Sequence, residues 1–196
     1  MPNAQQMRET MVQKGIPEEI MAQFVFPEPN CSVEDIIGLI DQMDRLLTKE
    51  QCMSIMEEEG CTKTGEPDKK HRAFGRRYQR KTVEERIALM KRKLRTVHKA
   101  PCHINPDGTL SVYWGFGREE GRYDCVCGQI MELPAHIEVS RTYCGCCAGH
   151  IRHHYQNSLG VKLRLKDIVS SPLDSDGKNR CEILFEILGE KEALHE

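Results

Sequence analysis

Two close groups of cysteines constrain this chain more than any other feature: Cys125-Val126-Cys127 and, 17 positions after Cys127, Cys144-Gly145-Cys146-Cys147. Paired thiolates are how a chain presents soft ligands to one tetrahedral zinc ion, because each turn or helix start aims two of them at a point. The interval between the groups is like that of a zinc ribbon, although the first pair is C-x-C and the second group holds one cysteine too many. Cys125, Cys127, Cys144 and Cys147 are the expected zinc ligands, and Cys146 is then left over as a buried thiol or a nucleophile. Cys144 with Cys146 is the other way to form the second pair, which leaves Cys147 as a core residue on a helix face. Four thiolates also suit an iron–sulfur cluster, and a set of structural thiols without metal is the third reading.

Compartment bears on that choice. The chain has 196 residues, ten of them cysteine, with 39% hydrophobic and 30% charged side chains. Such a composition excludes collagen-like, low-complexity and wholly disordered chains. No stretch approaches the roughly 18 uninterrupted apolar residues of a membrane span, and Met1 to Lys14 is polar, unlike a signal peptide. The expectation is a cytoplasmic protein without a membrane partner. Cytoplasmic thiols stay reduced, so a cluster of them reads as metal ligands or catalytic groups before cross-links.

Charge is unevenly spread. Residues 1–61 carry 4 Lys and Arg against 12 Asp and Glu, whereas residues 62–99 carry 14 against 4. A basic segment of this kind is either a phosphate-binding footprint or a solvated helix face docked on the acidic N-terminal stretch. With Phe74 and Tyr78 as its only aromatic rings and no binding module, the second reading is preferred over nucleic acid.

The pattern of elements is α+β, with a helical N-terminal half, an antiparallel hairpin, a cysteine-capped helix and a C-terminal β-hairpin. Ser32 caps a helix over 33–47 with apolar residues at helical spacing. Thr48 with Gln51 and Thr82 with Glu85 make capping boxes for two more. The first of these runs to about Glu59, and the second carries the stripe Val83, Ile87, Met90, Leu94 and Val97. Residues 61–70, rich in Gly, Pro and charge, read as an exposed loop. After a turn at Asn105 to Gly108, strand is expected over 109–116, and a Gly-bounded turn at 117–121 leads to 122–127. A helix over 145–159 ends at Gly160, and strands 161–171 and 180–187 flank a turn at Asp174 to Gly177. The regions are then 1–100, helical with the basic segment 62–99, the Cys-rich 101–188, and a frayed tail, 189–196.

His150, His153 and His154 follow the second cysteine group. His150 shares a helix face with Cys146 and Cys147 and is the candidate general base, ligand or outer-shell group. Under an enzyme reading Cys146 attacks an electrophilic carbon with His150 as base. Cys61 and Cys181 end and begin elements, and either is within reach of the cluster if the fold brings it there.

The run Tyr143-Cys144-Gly145-Cys146-Cys147-Ala148-Gly149-His150, the helix ending at Leu159-Gly160, and the hairpin closing on Lys178-Asn179-Arg180-Cys181-Glu182-Ile183-Leu184-Phe185 resemble the close of the 4-vinyl-reductase-type domain. They also resemble the L-2-amino-thiazoline-4-carboxylic acid hydrolase-like proteins. The resemblance covers about 50 residues and suggests a bacterial relative of these families. It implies a helix-and-sheet pocket for a small apolar or heterocyclic molecule, sometimes with zinc, and matches Cys181 to the hairpin cysteine. The expected function is therefore a zinc-stabilised small-molecule-binding or sensing domain, with a homodimer as a further expectation. A metal- or thiol-dependent hydrolase acting on a small heterocyclic or amide substrate is the alternative.

Overall fold

Three helices begin at the cap residues that the sequence marks, and at Ser32 the structure adds a capping box with Asp35. In the computed structural model, which describes residues 2–61, 63–96, 100–117, 121–134 and 138–190, α1 spans Ala4–Gln13 and α2 Glu18–Met21. Helices α3 (Val33–Leu46), α4 (Lys49–Met56) and α6 (Val83–Lys93) start after Ser32, Thr48 and Thr82, and each pairs its cap reciprocally with Asp35, Gln51 or Glu85. Two orphan amides are satisfied at each start, which fixes where the helix begins. Val97 of the expected α6 stripe lies outside the described residues.

The expected loop at 61–70 is a correction: Gly65–Arg77 is a helix, α5. Pro67 stands in its first turn, where a missing amide costs nothing. Glu66 and Asp68 lie at its start and Arg76 and Arg77 at its end, as the helix dipole favours. Apolar periodicity missed it because its inward face is polar, with Asp68, His71 and Gly75 buried beside Phe74.

Strands β1 (Cys102–Ile104) and β2 (Leu110–Trp114) form a hairpin over the Asn105–Gly108 turn. Two short strands, β3 (Phe116–Gly117) and β4 (Tyr123–Asp124), pair antiparallel, and the tip of their turn, 118–120, lies outside the described residues. A one-turn helix, α7 (Gly128–Met131), follows, and then a 3-10 turn at Arg141–Cys144 runs directly into α8 (Gly145–Leu159). Gly160 ends α8 with φ of 67°, a left-handed conformation that glycine adopts without strain. Strands β5 (Val161–Ser170) and β6 (Cys181–Glu190) complete an antiparallel sheet of order β1-β2-β6-β5. β6 reaches Glu190, so Gly189 and Glu190 of the expected tail are strand, and 191–196 lie outside the described residues.

Helix α8 is central. It packs on β5 and against α4, α5 and α6, and Ile151, Tyr155 and Leu159 of its apolar stripe join a core shared by both halves of the chain. Polar groups fasten it on the other sides. Arg152 pairs with the buried Glu57 at 2.8 Å, and the second oxygen of Glu57 accepts the Leu165 amide of β5 at 2.8 Å. β5 also shifts register against β6 between Leu165 and Asp167, one of three such irregularities along the strand. Part of the basic segment is spent internally: Arg86 donates to the Leu159 carbonyl at the end of α8, and Arg72 pairs with Asp68.

Candidate functional site

Cys125, Cys127, Cys144, Cys147 and Cys181 line one small apolar cavity of about 10 Å³, closed by Trp114, Tyr143 and Leu173. Local structure explains how residues so far apart converge. Cys127 is the N-cap of α7, Cys144 ends the 3-10 turn, Cys147 lies in the first turn of α8, and Cys181 opens β6. None of the lining residues is a carboxylate or an imidazole.

Within the group the thiols differ. Cys127 and Cys147 hydrogen-bond to each other, and that bond, with help from the amides of Ile130 and Gln129 at the start of α7, lowers the Cys127 thiol against the opposing effect of burial. Amides at a helix start stabilise a thiolate in this way. Cys147 moves in the opposite direction, raised by the same bond to Cys127 and then by burial. Cys144 is pushed up to about 12 by burial and then by Cys181, and its sulfur lies 3.7 Å from Ser171 Oγ. The Cys127 amide donates to Cys125 Sγ at 3.5 Å. Tyr143 is fully buried, and its hydroxyl makes no hydrogen bond of regular geometry among the described residues. Burial, then the neighbouring Cys127 charge, keeps that phenol protonated.

The remaining cysteine of the second group faces elsewhere. Cys146 donates to the Glu59 carbonyl at 3.1 Å and is hydrogen-bonded to Cys61, which with burial raises its thiol far above the ordinary range. His150 is buried, and its Nδ1 lies 4.0 Å from Cys61 Sγ. Cys61 thus stands between the two residues that the enzyme reading would pair directly. The sequence offers Cys61 as a residue that the fold could bring to the cluster, and a partner 85 positions away leaves no local signal of which thiol it meets.

Over the cavity lies an open cleft of about 720 Å³ between β4, α7 and the β5–β6 connection. Cys125, Ile130 and Leu173 belong to both. Its other apolar walls include Met131, Leu133 and Val139, and its rim carries charged side chains such as Arg122 and Glu138. Arg122 and Asp176 pair across the rim at 2.8 Å. A volume of this size falls in the range of small-molecule sites.

A second cluster lies farther along α8, where the His154 ring meets the His150 ring edge-on at 4.8 Å. Among the described residues, the group of three with metal-ligating atoms all within 4.8 Å of one another is Asp68, His153 and His154, not a set drawn from the cysteines. His153 Nε2 lies 2.8 Å from Asp68 Oδ1, Arg72 donates to the other carboxylate oxygen at 2.7 Å, and Asn157 donates at 3.3 Å. His71 and His154 rings stack at 4.7 Å, and His71 Nδ1 meets Ser158 Oγ at 2.8 Å. The trio can hold a metal ion, but the Arg72 cation already neutralises its single carboxylate, so its evident work is to fasten α5 to α8.

No protein family matches the chain, and no curated protein matches it. Among solved structures it is similar to an H-NOX protein from S. oneidensis in the Fe(II) ligation state, with a TM-score of 0.31 and 11% identity over 97% of this chain and 90% of that one. The functional reading therefore rests on the geometry of the site itself.

Proposed function

We propose that the chain is a zinc-stabilised small-molecule-binding or sensing domain in which Cys125, Cys127, Cys144 and Cys147 hold the metal and the cleft above them takes a small apolar or heterocyclic molecule. One observation carries this reading: Cys125, Ile130 and Leu173 form both the roof of the cysteine-lined cavity and the floor of the cleft. A change at the thiols therefore reaches the cleft wall directly.

The donor type suits zinc, although no three of these sulfurs lie within 4.8 Å of one another, so the metal would have to draw them together. Five sulfurs, those of Cys125, Cys127, Cys144, Cys147 and Cys181, line a space without harder ligands, and the first four are the proposed zinc set. Zinc with four protein ligands supplies a fixed joint between the hairpin and α8 and no open coordination position. Recognition then falls to the cleft, where Ile130, Met131 and Val139 give apolar contact and Arg122 and Glu138 orient polar edges. The resemblance of the Tyr143–His150 and Lys178–Phe185 segments to the 4-vinyl-reductase-type and thiazoline-carboxylate hydrolase-like families supports the same ligand class. The reading includes a cytoplasmic setting, where thiols stay reduced. The expected homodimer is checked by light scattering on the same preparation.

The hydrolase alternative, with Cys146 as nucleophile and His150 as base, has less support. Cys146 lines neither the cavity nor the cleft, so a substrate bound there does not meet it, and the thiol beside His150 Nδ1 is Cys61.

The test is metal content with thiol titration on tag-free protein purified without oxygen. One zinc per chain with four protected thiols, both lost in Cys127→Ser, is the expected result. Leu173→Trp should then abolish binding of anilinonaphthalene sulfonate while leaving zinc bound. Protein with no metal, or zinc retained in Cys127→Ser, overturns the proposal.

A further inference from the structure

Cys61 and Cys146 form a second dithiol, outside the four proposed zinc ligands, and its geometry is built by backbone contact. Gly60, Gly145 and Gly149 bring the chain at 56–61 directly onto the start of α8. A Cβ on Gly60 would lie 2.5 Å from the Gly149 carbonyl carbon, one on Gly149 would lie 2.2 Å from the Glu57 carbonyl oxygen, and one on Gly145 would meet Met56 Cβ at 2.5 Å. Real Cβ atoms do not approach so closely, so the two segments touch here only because these side chains are missing. The contact sets the Cys146 sulfur 3.1 Å from the Glu59 carbonyl and against the Cys61 thiol, with His150 Nδ1 4.0 Å from Cys61 Sγ. Of the two thiols, Cys61 is exposed and Cys146 is buried. This asymmetry gives one sulfur that meets a solution reagent and one that meets only its partner.

We infer that Cys61 and Cys146 are a reversible redox site, oxidised by a small disulfide to an intramolecular Cys61–Cys146 disulfide that locks the 57–61 segment onto α8. In the first step the Cys61 sulfur attacks one sulfur of the reagent disulfide, whose S–S bond breaks. The departing thiolate takes up the proton that Cys61 sheds, with His150 beside Cys61 to relay it. In the second step Cys146 attacks the Cys61 sulfur of the mixed disulfide and expels the second reagent thiolate, which takes the Cys146 proton. Two protein thiols are oxidised by two electrons, and one disulfide is reduced to two small thiols. An excess of dithiol reverses both steps. The inference does not depend on zinc.

The experiment is oxidation of the reduced full-length chain with glutathione disulfide, followed by alkylation of the remaining thiols and mass spectrometry of proteolytic peptides. The expected product is a Cys61–Cys146 cross-linked peptide, with two fewer titratable thiols and both restored by dithiothreitol. Cys146→Ser should instead accumulate glutathione on Cys61. Cys61→Ser, an exposed substitution, should leave Cys146 unmodified. A parent chain that carries glutathione on Cys61 beside a free Cys146, or that cross-links Cys127 to Cys147 first, overturns the inference. So does a chain that loses no thiols at all.

Discussion

Tyr155 satisfies both backbone groups of Ala100: its hydroxyl donates to the Ala100 carbonyl at 2.6 Å and accepts from the Ala100 amide at 2.8 Å. All three groups are buried, and the link ties the middle of α8 to the chain just before β1. Tyr155→Phe keeps the ring and strands two buried backbone groups. The expected loss is about 1–3 kcal/mol by urea denaturation. A loss below about 0.5 kcal/mol would mean that water or a backbone shift replaces the hydroxyl.

The glycine seam predicts substitutions of opposite sign. Gly149→Ala drives a methyl into the Glu57 carbonyl and should cost about 1–3 kcal/mol or more. Gly38, within α3, has nothing within 4 Å of the position a Cβ would take. Gly38→Ala should therefore stabilise the chain by about 0.5–1 kcal/mol through its better helix propensity. Melting temperatures of the two variants should lie on either side of the parent.

Glu59 makes stability depend on pH. Burial first, opposed by the Asn3 amide and Lys63, raises its carboxyl to about 7, whereas an unfolded glutamate titrates near about 4.3. Between these values the native chain holds a proton that the unfolded chain has released, so stability falls as pH rises through the interval. Glu59→Gln fixes the neutral form. Its melting temperature should gain on the parent from pH 5 to pH 8, and a constant difference would show that Glu59 titrates normally.

Asp68 holds α5 in place by accepting from Arg72, Asn157 and the His153 ring. Asp68→Ala should cost about 2–3 kcal/mol, because these are bonds to a charged group. Limited proteolysis should cut the variant within 63–80 before the rest of the chain unfolds. Unchanged protection of that segment would count against the clasp.

The helices that sequence made legible are those whose local chemistry is complete within one turn. Ser32, Thr48 and Thr82 announce α3, α4 and α6, and Gly160 announces the end of α8. α5 was hidden because it faces inward with Asp68 and His71, whose partners His153, Asn157 and Ser158 come from α8 and leave no periodic trace. At the candidate site, Cys125 and Cys127 of the C-x-C run and Cys144 and Cys147 of the C-G-C-C run come to line one cavity. The runs said nothing of how Cys61 reaches Cys146, which follows from the close approach of Gly60 to Gly149, or of the hydrogen bond between Cys127 and Cys147.

Strand β5 is an outer strand of the sheet, and such strands are open templates for another chain. Here the template is spoiled: its ladder with β6 slips three times, and the Leu165 amide is already taken by the Glu57 carboxylate. An incoming strand would find neither an even row of donors nor a straight edge. The same carboxylate that secures α8 thus also guards the protein against growing into a fibre from that side.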